Sequence, residues 1–155
     1  MSMEDLKKAF EIINKNAEEG RFSGPKAEEL ILMAERVLSL KFPPTYKEFL
    51  RRFGAGSIFG VEIYGITRAE FINASIPNGI WLTLREREDI QLPNNLIIIY
   101  DYDDGVYFAI DTSIITAEQE NPVVAWAQDL PDNQIKIIAP DFGKFLLKII
   151  LEANE

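Results

Sequence analysis

Three aspartates, Asp101, Asp103 and Asp104, stand within four residues of one another and are followed by Gly105. A cluster of carboxylates this tight invites a calcium reading. An EF-hand loop needs oxygens at its first, third, fifth and twelfth positions and glycine at the sixth. Here the acids fall at the first, third and fourth, glycine is fifth, and no Glu stands twelfth. The match fails, leaving a hairpin tip as the better reading and a weak cation site as the alternative. Asp104-Gly105 is the dipeptide that a type I′ turn needs, because both central residues take φ > 0. Glu118 and Glu120 form a second acidic pair, in the loop expected after Asp111. Paired carboxylates can perform acid–base work, as in glycosidases, but any acidic chain offers such pairs. Gly54, Gly56, Gly60 and Gly65 follow a helix and precede strands, the wrong order for a phosphate-binding loop.

The sequence holds no His and no Cys. That removes disulfides, thiol nucleophiles, Ser-His and Cys-His catalysis, and zinc sites of the usual ligand sets. No catalytic, metal or cofactor residues are assigned, and no enzyme activity is expected. The net charge of −9 is unevenly placed. Residues 1–87 hold 13 Lys/Arg and 12 Asp/Glu, whereas residues 88–155 hold 3 and 13. Ten carboxylates and no basic residue lie between Glu88 and Ile135. Such a field repels nucleic acid and attracts basic surfaces, or it serves solubility alone. The candidate partner-binding residues are Asp101, Asp103, Asp104, Glu118 and Glu120, all expected on exposed turns or loops.

The elements that must position these acids are readable from periodicity. Residues 3–17 predict a helix with Leu6, Phe10, Ile13 and Ala17 on one stripe. A second helix is expected over 25–38, with Ser23 as N-cap and Leu30, Ile31, Ala34, Val37 and Leu38 buried. Pro43-Pro44 opens a third helix, where Thr45 and Glu48 have capping-box spacing. Its stripe is Tyr46, Phe49, Leu50 and Phe53, expected against a sheet, and Gly54 supplies a left-handed C-cap. Short strands follow at 57–59 and 61–64, while 21–24 reads as loop. Thr67 with Glu70 suggests a capped turn carrying Phe71, and 80–88 a brief helix with Arg85, Glu86, Arg87 and Glu88 in solvent. Apolar β-branched runs predict strands at 96–100, 106–110, 122–126 and 134–138. Trp81 and Trp126 are expected in the core, Trp126 more firmly because it follows a strand, with a partly exposed interface anchor as the alternative. A last helix starts at Ala139-Pro140-Asp141 and carries Phe142, Phe145, Leu146, Ile149 and Ile150. Helices first and strands later imply an α+β fold with a mostly antiparallel sheet, in a single domain over 1–155. No run approaches the ~18 apolar residues of a membrane span. The acidic, amphipathic N-terminus is unlike a signal peptide, so a cytoplasmic location is expected.

Several stretches resemble a known family. Phe42-Pro43-x-x-Tyr46-x-x-Phe49-Leu50, followed by Gly54-x-Gly56 and a strand ending in Tyr64-Gly65, resembles the signature of the SUKH superfamily, the Smi/Knr-like domain. GAGSIFGVEIYG most resembles its YobK-like bacterial immunity branch. Glu28-Glu29-Leu30, Asp104-Gly105-x-Tyr107 with Asp111-Thr112, Pro122-Val123-Val124-x-Trp126 and Phe142-x-x-Phe145-Leu146 are similar to further family segments, in the family's order. Residues 67–91 match poorly. The resemblance implies a small, non-catalytic immunity protein that binds and neutralises a cognate toxin protein, often a nuclease. A basic nuclease domain would suit the acidic half. The alternatives are a general interaction or regulatory domain and an enzyme relying on carboxylates alone. A monomer or a homodimer is compatible with either binding role.

Overall fold

The computed structural model describes residues 2–131 and 135–154. Among them the order is α1 (Ser2–Lys15), a 3-10 turn (Ala17–Glu19), β1 (Gly20–Phe22), α2 (Glu28–Leu38), α3 (Pro44–Arg52), β2 (Gly56–Ile58) and β3 (Val61–Ile63). Then come α4 (Gly79–Asp89), β4 (Leu96–Asp103), β5 (Val106–Asp111), β6 (Val123–Ala127), β7 (Lys136–Ala139) and α5 (Phe142–Ala153). The fold is α+β as expected, with two antiparallel sheets ordered β1-β2-β3 and β4-β5-β6-β7.

The four-stranded sheet is covered on both faces. Ile97, Ile99, Phe108 and Ile110 point into one core with Leu6 and Phe10 of α1 and Phe142, Phe145 and Ile150 of α5. Ile98, Ala109, Val124 and Trp126 point the other way, against Leu82 of α4 and Tyr64. Double coverage explains why β4 and β6 read as unbroken apolar runs rather than alternating ones. Two register shifts in β4, between Ile98 and Tyr100 and between Asp101 and Asp103, add a residue each against β5. Such bulges re-aim side chains. Here they leave Tyr100 and Tyr102 both against Phe108 on the α5 side, Tyr102 stacked and Tyr100 tilted, while Asp101 and Asp103 share a hollow with Tyr64.

Helix α3 is buried as expected at Tyr46, Phe49 and Leu50, whereas Phe53 is half-buried. Its stripe meets helix α5 as well as the three-stranded sheet. Tyr46 and Phe49 meet Phe142 of α5 at ring distances of 5.0 and 5.4 Å, and Phe49 also meets Phe22 of β1. The Tyr46 hydroxyl donates to the Tyr64 carbonyl at 2.8 Å, tying α3 to the end of β3. Burial pushes that phenol's pKa well up. Gly54 takes φ +75° and closes α3, as read from the sequence.

Several local expectations need correction. Helix α1 ends at Lys15, which leaves Ala17 exposed in the following 3-10 turn rather than on the α1 stripe. Residues 20–22 pair with β2 instead of looping, because Phe22 gains a place beside Phe49 and Phe53. Helix α2 begins at Glu28 with Ala27 as N-cap, and the Ser23 hydroxyl instead donates to the Ile66 carbonyl and accepts from Ala55 N–H. Val37 is exposed and Leu30 only partly covered, since α2 turns Ile31, Ala34 and Leu38 inward. Thr67 does not cap a turn. It accepts from Asn78, while Glu70 accepts from the Ile72 and Asn73 N–H groups. In α4, Glu86 and Arg87 are half-buried rather than solvated, Glu86 accepting from the Tyr107 hydroxyl and Arg87 donating to the Leu38 and Asn94 carbonyls. Trp126 is core, but Trp81 is half-buried with the Arg85 guanidinium over its ring. The last expected strand is β7, and Gln134, its expected first residue, lies outside the described residues.

Candidate functional site

The β4–β5 hairpin presents the aspartates as the sequence implies. Asp104 and Gly105 both take positive φ, 53° and 79°, in the tight turn, and Asp101, Asp103 and Asp104 are exposed. The Asp101 carboxylate accepts from Asp103 N–H at 3.0 Å, which holds the tip locally. Sequence spacing alone missed a fourth acid. Glu62 of β3 lines the same shallow hollow of about 320 Å³ as Asp101, Asp103 and Tyr64. Burial, with Asp101 and Glu62 next in effect, pushes the Tyr64 phenol up to about 12. The only signal for Glu62 in the sequence is its outward place in the Val61–Ile63 alternation.

Tyr102 stands on the opposite side of the tip, 60% exposed and stacked on Phe108 at 4.8 Å. Ile76, also exposed, borders the acidic hollow. An aromatic side chain held by a packed neighbour and rimmed by charge has the composition of a protein-binding hot spot.

Glu118 and Glu120 do not join this surface. Strand β5 separates them from the tip, because the 112–122 loop follows its far end. Six residues of strand place the two ends about 20 Å apart. Glu120 is 1% exposed, contrary to expectation. Its carboxylate accepts from Thr45 N–H at 3.0 Å and from the Thr45 hydroxyl at 2.6 Å, satisfying the first turn of α3. The expected Thr45–Glu48 capping box is thereby displaced, and Glu48 pairs with Arg51 and Arg52 instead. Glu118 is exposed but occupied, accepting from the N–H and hydroxyl of Ser2 at the start of α1. Asp141 accepts from Lys144 N–H at the start of α5. Three acids thus hold three helix N-termini, where negative charge is favoured. Burial raises the pKa of Glu120 and of Asp141, whereas hydrogen bonds from Ser2 lower that of Glu118.

Among the described residues no group of three or more acidic side chains is placed to hold a metal ion. The aspartate cluster forms the end of β4 and the turn into β5. No helix among the described residues is long and apolar enough to cross a membrane.

The family model SUKH_6, described as SMI1-KNR4 cell-wall, matches residues 28–146. That span contains the Phe42–Leu50 signature, the Gly54–Gly65 meander and the Asp104-Gly105 hairpin, and it closes at Leu146 of α5. The match covers most of the chain, and this chain belongs to the SMI1-KNR4 family of the SUKH superfamily.

Proposed function

We propose that the protein is an immunity protein of the YobK-like branch, which binds a cognate toxin domain in the cytoplasm and catalyses no reaction itself. The observation that carries this reading is the exposed acidic tip. Glu62, Asp101 and Asp103 line a hollow bordered by the exposed Ile76, Asp104 stands at the adjoining turn, and Tyr102 is exposed on the other side of the same core-anchored hairpin. Four carboxylates of one sign would draw in a basic surface, and a nuclease domain carries one to hold its substrate's phosphates. Seating the tip in that basic groove would mask the toxin's active site or its substrate channel. The second reading, a regulatory interaction domain without a toxin, is favoured by the cell-wall description of the matching family.

The two readings separate in a co-expression experiment. A toxin domain sought in the neighbouring reading frames is expressed with and without this protein, and growth and complex formation are followed. Restored growth with a stable complex supports immunity. Toxicity that persists despite folded protein contradicts it.

A further inference from the structure

A groove of about 730 Å³ opens between the α2–α3 connection and the 112–122 loop, at the end of the sheet remote from the acidic tip. Leu32 and Ile115 flank it, 42% and 68% exposed, and Met33 and Val37 extend the uncovered apolar face of α2 beside it. Three cations, Arg36, Lys41 and Lys47, line the rim, against a single carboxylate, Glu35. Glu35 is already satisfied: its Oε2 accepts from Phe42 N–H at 2.7 Å and lies 3.7 Å from Lys47 Nζ. Among the described residues Arg36 and Lys41 form no ion pair. In a chain of net charge −9, this groove is a positive exception.

We propose that the groove is a second interaction surface that docks an acidic segment of a partner protein. Apolar side chains of that segment would cover Leu32 and Ile115, and its carboxylates would meet Arg36 and Lys41. Charge complementarity selects the occupant: a basic surface suited to the tip is repelled here, and an acidic one suited here is repelled by the tip. The groove therefore adds a contact of opposite sign to the one proposed for the hairpin. Neutral apolar peptides would lose the steering that the two unpaired cations provide.

The test uses fluorescence anisotropy on the full chain with a labelled peptide of Glu, Leu and Ser, and a control in which Gln replaces Glu. The acidic peptide should bind at least about tenfold more tightly than the control and weaken as salt rises. Replacing Arg36→Gln and Lys41→Gln together, or Leu32→Ser alone, should abolish that preference or weaken binding about tenfold while leaving the thermal melt intact. Replacing Asp103→Asn and Asp104→Asn should leave peptide binding unchanged, which separates the groove from the tip. Equal binding of both peptides, no binding to the wild type, or undiminished binding by the folded double variant would overturn the proposal. So would preferential capture by phosphatidylserine vesicles through Arg36 and Lys41.

Discussion

Replacing Glu120 with Ala tests whether this acid belongs to the framework rather than to an interface. Its carboxylate holds the Thr45 N–H and hydroxyl, and both residues are buried. Loss of a helix cap costs typically ~1 kcal/mol, and a buried donor left without an acceptor costs about 1–3 kcal/mol. These overlap, because the orphaned N–H is the capped one, and removal of a buried charge offsets part of the loss. The expected net destabilisation is about 2 kcal/mol. Glu120→Gln keeps an acceptor for the N–H and an amide donor for the hydroxyl oxygen, so its cost should be about 1 kcal/mol or less. Urea denaturation at neutral pH measures both, with an unchanged slope expected. The pH dependence gives an independent check. Burial, against the pull of the two Thr45 hydrogen bonds and with the help of Asp141 and Glu118, raises the Glu120 pKa above the ordinary 4.5. Folded protein then binds this proton more tightly than unfolded protein does. The group's contribution is complete below pH 4.5 and is lost as the pH rises through its raised native value. Wild type should accordingly gain on Glu120→Gln as the pH falls from neutral. A Glu120→Ala loss below ~0.5 kcal/mol, or a wild-type advantage that shrinks on acidification, would refute the reasoning.

Other perturbations probe the framework elsewhere. Phe49→Ala should cost about 3–5 kcal/mol in denaturant melts, because the ring is fully buried between Phe22, Tyr46 and Phe142; a loss under ~1 kcal/mol would remove α3 from its central place. Gly65→Ala should fail to give soluble, folded protein, since a Cβ there would collide with the Gly54 carbonyl and Leu50. A normal melt for that variant would mean the meander does not pack against α3 as described.

Much of the framework was legible because it is local. The stripes of α1, α3 and α5, the Gly54 cap and the Asp104-Gly105 turn each follow from residues a few positions apart. What escaped the sequence depends on distant partners. Glu120 looked like a solvated loop acid because its ligand, Thr45, is 75 residues away. Thr45 in turn had a plausible local partner in Glu48, which the fold sends to Arg51 and Arg52. Strand β1 has only three residues and no alternation of its own, so pairing with β2 and the place of Phe22 define it. The acidic stretch from Glu88 to Ile135 suggested one continuous patch, and the length of β5 divides it in two. Asp132, one of its ten acids, lies outside the described residues.

The proposed interface is most directly tested by association kinetics with the toxin domain that the co-expression experiment identifies. The variant to compare with wild type carries Glu62→Gln, Asp101→Asn, Asp103→Asn and Asp104→Asn. All four sit on β3 or the hairpin tip away from the buried core, so its melting temperature should stay close to wild type. If the tip steers a basic partner, the variant associates about tenfold more slowly at low salt, dissociates at nearly the wild-type rate, and converges with wild type at high salt. An association rate that is unchanged, or insensitive to salt in both proteins, would contradict the proposal that this tip is the binding surface.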